Sequence, residues 1–259
     1  MISLLKSVMR NKIIKTLFLF VALVVIPGPS FAQTKPTEAF FTVEQMPNMV
    51  KFLPPPPAFH SPFFVGDSIR YEWGKAMRNC PERAKIAWND AYYGLGIVAQ
   101  EFSEPFGLQI SEKGTPRIYK MLKVALATCD SVCKIPKKYY MRKRPFVYFV
   151  EPTLVPEDEE DLRNNGSYPS GHTILGWSSA LLLAEINPEA QDTLLARGYM
   201  YGESRIIAGY HWASDVEAGR LAASAAYARL HTSKRFLKMM ARARREFVRL
   251  KKRKSNGKA

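Results

Sequence analysis

The chain has 259 residues, of which 47% are hydrophobic, and a formal net charge of +15 from 38 Lys and Arg against 23 Asp and Glu. This length suits one domain with a sizeable core, and no second apolar span follows the N-terminal one, which disfavours an integral membrane enzyme. Residues 1–15 contribute +4 and residues 234–259 contribute +11, so the middle of the chain is neutral and does not indicate a nucleic-acid-binding domain.

The N-terminus has the pattern of a secretory signal. Residues 17–26 form an apolar run, a Pro-Gly-Pro break follows, and residues 30–32 supply small residues for cleavage. Four cations precede the run: Lys6, Arg10, Lys12 and Lys15. We expect residues 1–32 to be a signal peptide that is cleaved after Ala32, with the mature protein in the periplasm. An uncleaved anchor is the alternative, although the run is short for a spanning helix.

The mature chain divides into three predicted parts. Residues 33–62 are a Pro-rich arm, in which Pro54 to Pro57 predict an extended segment lying on its own domain. Residues 63–232 show helical periodicity almost throughout, and residues 233–259 form a basic amphipathic tail. The fold class is therefore predicted to be all-α, a single-domain helical bundle.

The predicted helices follow from apolar spacing, proline positions and caps. They cover residues 67–79 with Asp67 as a cap, 81–102, a helix beginning at Pro116, 136–144, 173–186, 188–208 and 212–230. The 173–186 helix is nearly all small or apolar and should be central and buried. Residues 151–165 are acidic and irregular, which indicates a surface loop.

The basic tail and the cysteines each leave two interpretations open. Apolar residues at helical spacing in the tail predict an amphipathic helix that docks on the domain or lies on an anionic envelope surface. Cys129 and Cys133 should share a helix face, and either could pair with Cys80 in an oxidising compartment. Three buried, unpaired thiols are an equal alternative, and no metal-site spacing is present.

Three short segments carry the residues from which we infer chemistry. In the first, Lys137 and Arg144 are seven residues apart, which would place both on one face of a helix ended by Pro145. Together with Arg205 they could balance a phosphate dianion, because each arginine offers two parallel hydrogen-bond donors. Taken singly, each cation is better explained as an ordinary surface charge, and only its combination with the other segments favours a role in the site.

The second segment, residues 168–173, precedes the apolar helix. A helix N-terminus presents unpaired N–H groups to an anion, Gly171 permits close approach, and the Ser170 hydroxyl adds a donor. His172 then stands at the helix entrance, within reach of a bound group. A capped helix with an incidental histidine would look the same in isolation.

The third segment supplies a nucleophile. His211 and Asp215 are four residues apart, so the carboxylate can accept a hydrogen bond from one ring N–H and direct the other nitrogen outward. Such an imidazole can attack phosphorus and form a phosphohistidine. His172, when protonated, would give its proton to the leaving oxygen and later activate water, which predicts a bell-shaped, mildly acidic pH optimum.

These three segments together resemble the signature of the type 2 phosphatidic acid phosphatase superfamily. The pattern is Lys137-x6-Arg144-Pro145, Pro169-Ser170-Gly171-His172 and Ser204-Arg205-x5-His211-x3-Asp215, and no signature position departs from it. Within the superfamily the chain is similar to the bacterial class A non-specific acid phosphatases over roughly residues 50–232.

The resemblance implies a metal-independent periplasmic enzyme without a cofactor that acts on organic phosphomonoesters, including nucleotides, and is a homo-oligomer. It assigns His211 as the nucleophile, Asp215 as its orienting group and His172 as the general acid. The residues implied to bind phosphoryl oxygens are Lys137, Arg144, Ser170, Gly171 and Arg205. An apyrase-like nucleoside di- or triphosphate hydrolase and a vanadium-haloperoxidase-like enzyme are the alternatives.

Overall fold

Residues 39–257 are described by a computed structural model, and within that range every regular element is a helix. Single 3-10 turns occur at Val43–Gln45, Ser131–Cys133, Pro156–Asp158 and Pro188–Ala190. The α-helices are α1 (Met49–Phe52), α2 (Pro62–Met77), α3 (Pro81–Asn89), α4 (Leu95–Phe106), α5 (Pro116–Asp130), α6 (Lys134–Tyr140), α7 (Pro145–Phe149), α8 (Glu159–Arg163), α9 (Gly171–Ile186), α10 (Gln191–Ile207), α11 (Ala213–Leu230) and α12 (Lys234–Ser255). The all-α prediction is confirmed.

Helix α9 lies at the centre, as its apolar composition predicts. It packs most extensively against α10 and α11, and also against α5 and α4. Gly176 makes the approach of α10 possible, because a Cβ at this position would lie 2.5 Å from the ring of Tyr201. The N-terminus of α9 is capped by Ser170, whose hydroxyl accepts a hydrogen bond from the N–H of Thr173 at 3.3 Å. The buried helix thus has a fixed N-terminus at the position where the second segment was predicted to act.

Four secondary-structure predictions are wrong, and one of them is the 136–144 helix, which ends at Tyr140. Helix α2 begins at Pro62 with Ser61 as its cap, and Asp67 lies inside it as a buried partner of Arg142. The predicted 81–102 helix is two helices, separated by a turn in which Gly94 has a φ of +123°. The loop at 151–165 contains the short helix α8. Tertiary contacts made by Asp67 and the backbone freedom of Gly94 outweigh local periodicity at these places.

The basic tail forms the predicted helix, α12, and it packs against α5. Its apolar side, which includes Phe236, Met240 and Phe247, is buried in the main core. The Pro-rich arm also contacts the domain, since the Tyr168 hydroxyl donates to the carbonyl of Pro54. No helix within residues 39–257 combines the length and apolar character required for a membrane span.

The three cysteines are free thiols in this structure, with Cys80 exposed and Cys129 and Cys133 buried. The predicted signal peptide lies outside the described residues. The boundary at residue 32 therefore stays a prediction, and so do the domain boundaries at residues 62 and 232.

Candidate active site

The three sequence segments meet around one cavity of about 410 Å³. Six of the eight predicted site residues line it: Lys137, Arg144, Gly171, His172, Arg205 and His211. The other two, Ser170 and Asp215, are buried directly behind this lining and contact its residues. Residues up to 74 positions apart in the chain are therefore brought into one cavity by the packing of α6, α9, α10 and the start of α11.

Lys137 and Arg144 do not share a helix face, because they lie on different elements. Helix α6 ends at Tyr140, Met141 adopts a left-handed conformation with a φ of 41°, and Arg144 is the N-cap of α7. The predicted continuous 136–144 helix is therefore wrong. The two cations still converge, since the reversal of the chain at Met141 returns Arg144 to the cavity.

The ammonium of Lys137 is fixed by the loop that precedes α9. Its Nζ donates to the carbonyl of Gly166 at 2.7 Å, and burial together with the charge of Arg144 lowers the pKa of Lys137 to about 8. Gly166 is required here because a Cβ would lie 2.3 Å from the Lys137 carbonyl oxygen. A bound anion would favour the charged ammonium and raise this pKa.

Arg144 is held by backbone carbonyls on two sides. Its Nε donates to Leu162 at 3.1 Å and to Asn165 at 3.0 Å, and its Nη1 donates to the carbonyl of Tyr210 at 3.1 Å. Burial and the neighbouring Arg205 lower the pKa of Arg144 to about 10. The guanidinium is thus positioned without any carboxylate partner, and its positive charge is available to a ligand.

Arg205 is the most unusual cation of the site. Its side chain is 0% exposed, and none of its three guanidinium nitrogens has a hydrogen-bond partner among residues 39–257. The guanidinium lies 4.5 Å from the centre of the Tyr210 ring and lines the cavity. A buried, unpartnered cation costs several kcal/mol, on the order of the effective desolvation penalty of one ion. An anion entering the cavity would both accept from its donors and balance its charge.

His211 is oriented from both sides of its ring. Nδ1 lies 3.4 Å from Oδ2 of Asp215, and Nε2 lies 3.2 Å from Nη1 of Arg144. Because a guanidinium can only donate, Nε2 accepts in this contact and Nδ1 carries the proton. Burial and the charges of Arg144, Lys137 and Arg205 hold the pKa of His211 well below its ordinary value. The neutral imidazole therefore has its lone pair on Nε2, where it accepts from Arg144 in the free protein and could attack a bound group that displaces this contact.

Behind Asp215 lies a buried network that the sequence interpretation missed. Arg142 donates from Nη1 to Asp215 at 2.6 Å and from Nη2 to Asp67 at 2.7 Å. Asp67 also accepts from the N–H of Ser214 at 2.8 Å. The hydroxyl of Ser167 donates to the same Asp215 oxygen that faces His211. Arg142 is the first of three consecutive cations, residues 142–144, and in the sequence nothing distinguishes it from a surface charge.

His172 has a defined tautomer as well. Its Nε2 lies 2.9 Å from the carbonyl of Ala91, which can only accept, so Nε2 carries a proton and Nδ1 is the nitrogen that can gain or lose one. The ring of Tyr93 packs edge-on at 4.7 Å. Burial, followed by the positive charges of Arg205 and Arg144, holds the pKa of His172 well below its ordinary value. A bound dianion would oppose these cations and raise that pKa.

Ser170 contributes to the site differently from the prediction of a ligand-facing hydroxyl. Its side chain is fully buried, accepts from the N–H of Thr173 and receives the Thr173 hydroxyl at 2.9 Å. Its own N–H donates to the carbonyl of Asp215 at 3.0 Å. In this structure Ser170 fixes the N-terminus of α9 against the start of α11.

Carboxylates border part of the cavity, which the sequence did not indicate. Asp130, Asp158 and Asp161 line it, and Asp130 accepts a hydrogen bond from the Tyr93 hydroxyl. Burial raises the pKa of Asp130. Within residues 39–257, no group of three or more His, Cys, Asp or Glu side chains is arranged to hold a metal ion.

Comparison with known proteins places this arrangement among phosphatases. The model of the PAP2 superfamily matches residues 119–237, a range that includes every predicted site residue. A non-specific acid phosphatase from Providencia stuartii is 45% identical over 228 residues, covering 88% of this chain and 92% of that protein. The non-specific acid phosphatase of Salmonella typhimurium is 41% identical over 83% of this chain and 86% of its own length. An acid phosphatase from Zymomonas mobilis is 35% identical, with 83% and 81% covered.

Proposed function

Because this chain belongs to the class A non-specific acid phosphatases of the PAP2 superfamily, we propose that it hydrolyses phosphomonoesters through a covalent phosphohistidine on His211. That it is an acid phosphatase follows from this membership. The observation that carries the proposed mechanism is Arg205, a fully buried guanidinium with three unpartnered nitrogens in a cavity that also holds two histidines. A phosphoryl group is the ligand that would satisfy this cation and accept attack from an adjacent imidazole.

In the first proposed step, Nε2 of His211 attacks phosphorus while the bond to the ester oxygen breaks. The leaving oxygen takes the proton from Nδ1 of His172. Asp215 accepts the hydrogen bond from Nδ1–H of His211 and stabilises the positive charge that the ring gains. In the second step His172 removes a proton from water, the water oxygen attacks phosphorus, and the P–N bond breaks to release phosphate.

Lys137, Arg144 and Arg205, with the N–H groups at the start of α9, would hold the phosphoryl oxygens. Their three positive charges exceed the charge of a phosphate dianion, so they can stabilise the additional negative charge of the transition state. We therefore propose a reaction that needs no metal ion or cofactor. Activity on an aryl phosphate should persist in the presence of a strong chelator, and its loss would contradict this part of the proposal.

The acid optimum follows from the two depressed histidine pKa values. His211 stays neutral at mildly acidic pH because its pKa is low, so its nucleophilic lone pair survives there. His172 must hold a proton in the substrate complex, where the dianion opposes the cations that depress its pKa in the free protein. The rate should therefore fall as the pH rises through the pKa of His172 in the complex.

The proposed substrates are organic phosphomonoesters of varied leaving group, including nucleoside monophosphates. Asp158 and Asp161 on the cavity lining would repel the further phosphates of a nucleoside di- or triphosphate, which argues against the apyrase-like alternative. The relatives named above are phosphatases, so nothing favours the haloperoxidase-like alternative.

We expect the change His172→Ala to separate substrates by leaving group. A poor leaving group, such as an alkyl phosphate, should lose about 10³-fold in kcat/KM, whereas 4-nitrophenyl phosphate should lose only about 10-fold, because a good leaving group needs little protonation. Steady-state kinetics across pH, without added metal, make the measurement. Equal losses on both substrates would show that His172 does not act as the general acid.

We expect Asp67→Asn to lower kcat about 10-fold with a much smaller effect on KM. Asp67 touches no cavity residue directly, but it holds Arg142, which in turn holds Asp215 against His211. Glu246→Gln is the matched control, because Glu246 is also a buried carboxylate but lies on α12 and binds backbone N–H groups of α5. A similar loss of thermal stability in both variants, with a loss of kcat in Asp67→Asn alone, is the expected result. Equal kcat values would exclude the positioning role.

The cellular location and assembly are proposals that rest on the sequence. We propose export to the periplasm with cleavage after Ala32, and a homo-oligomer in solution. N-terminal sequencing of the protein from a periplasmic fraction tests the first, and light scattering tests the second. An intact N-terminus or a monomer would contradict the respective proposal.

A further inference from the structure

Helix α12 and the start of α5 enclose a solvent-facing groove of about 990 Å³ with a strongly cationic lining. Six of its cations form no side-chain hydrogen bond and no ion pair among the described residues: Arg117, Lys120, Lys234, Lys238, Arg242 and Arg245. Among the residues that the structure describes, no carboxylate lines the groove. We call these six residues the cationic groove.

The cations of the groove follow one row along α12. Lys234, Lys238, Arg242 and Arg245 are spaced by four, four and three residues, so they lie on one side of the helix over about 16 Å. Arg117 and Lys120 stand opposite them on the first turns of α5. This row concentrates like charges that repel one another, and the fold supplies no counter-charge.

Two other cations of α12 and its carboxylate have partners, unlike the six cations of the groove. On the side facing α9, Arg244 pairs with Glu185 at 2.8 Å and Lys251 pairs with Glu189 at 2.5 Å. The one carboxylate of α12, Glu246, is 2% exposed and accepts from the N–H groups of Arg117 and Ile118. The acidic groups near α12 are thus already engaged, and the cationic groove is left for an external anion.

We propose that the cationic groove docks the protein on an anionic lipid bilayer. Besides the cations, α12 exposes two apolar side chains, Leu237 at 45% and Val248 at 51%, which lie eleven residues apart and therefore on the same side of the helix. A lipid surface accepts both cations and shallow apolar groups, whereas a soluble polyanion offers nothing to the apolar side chains. The core-facing side of α12 is occupied by packing, so the contact is peripheral.

Vesicle sedimentation with the full mature protein tests this docking. Vesicles in which about one lipid in three is phosphatidylglycerol should bind the protein at low salt, and pure phosphatidylcholine vesicles should not. The triple variant Lys238→Gln, Arg242→Gln, Arg245→Gln should bind about 100-fold more weakly, at about fivefold for each cation removed. Leu237→Ser should weaken binding to the vesicles without changing retention on heparin.

The matched control removes the same charge from elsewhere on the surface. Lys51, Lys85 and Lys138 are exposed and outside the groove, so their replacement by Gln should leave vesicle binding nearly unchanged. Both triple variants should keep wild-type turnover of a soluble aryl phosphate, which reports the fold and separates this proposal from the proposed mechanism. Equal losses of binding in the two variants, or heparin retention without vesicle binding, would overturn the proposal.

Discussion

Replacing His211 by alanine is expected to reduce kcat/KM for an aryl phosphate by a factor of about 10⁴ or more, the scale on which enzymes lose activity without their nucleophile. In the structure Asp215 orients the His211 ring from its Nδ1 side. The unprotonated Nε2 lies on the opposite side of the ring, against Arg144 in the cavity lining. His172 is held differently, because its Nε2 donates to the carbonyl of Ala91 and no carboxylate hydrogen-bonds to its ring among the described residues.

Two measurements make the His211 experiment specific. A rapidly quenched reaction with labelled substrate should yield a protein-bound phosphate that is stable to base and labile to acid in the wild type and absent from His211→Ala. His60→Asn is the control, since His60 is an exposed histidine with a φ of 65°, a backbone region that asparagine tolerates. Activity of His211→Ala within tenfold of the wild type would refute the phosphohistidine mechanism.

Replacing Arg205 by methionine should have opposite effects on activity and stability. We expect kcat/KM to fall about 10³-fold, because a donor and a full charge facing the phosphoryl group are lost. In phosphate-free buffer the free energy of unfolding should rise by about 1–4 kcal/mol, because methionine fills a similar volume without the desolvation cost of an unpartnered guanidinium. Thermal unfolding and steady-state kinetics on the same preparation measure both changes.

Arg142→Met provides the matched contrast for Arg205. Arg142 is also a buried guanidinium, but it is paired with Asp67 and Asp215 at 2.7 and 2.6 Å. Its removal leaves two buried carboxylates without their cation, so this variant should lose about 3–5 kcal/mol of stability. Inorganic phosphate should also stabilise the wild type far more than Arg205→Met. An Arg205→Met protein that is less stable than the wild type would show that the cation is satisfied in the free enzyme.

Local patterns predicted much of the fold. The small and apolar composition of residues 173–186 identified α9 as the central helix, and prolines marked the starts of α3 and α5. The errors lie where a predicted helix is interrupted in the structure. The predicted 136–144 and 81–102 helices break at Met141 and near Gly94, where the backbone takes positive φ values that local periodicity does not reveal.

The candidate site divides in the same way. The spacing of His211 and Asp215 within one helical turn makes their contact a local property, and so does the cap that Ser170 forms at α9. Arg142 could not be recognised as a positioning residue, because its partners Asp67 and Asp215 are each more than 70 residues away in the chain. Arg142 is also followed by two further cations, Lys143 and Arg144, and its carboxylate partners separate its role from theirs.

The sequence by itself determined which residue types could handle a phosphoryl group, their order along the chain and the helical class of the fold, because these depend on side-chain chemistry and short-range spacing. Only the tertiary structure decided that three cations from separate elements share one cavity, and that Arg205 has no partner there while Arg142 has two. The reason is physical: the energy of a charge depends on its burial and on its partners, and both are set by contacts between residues distant in the chain.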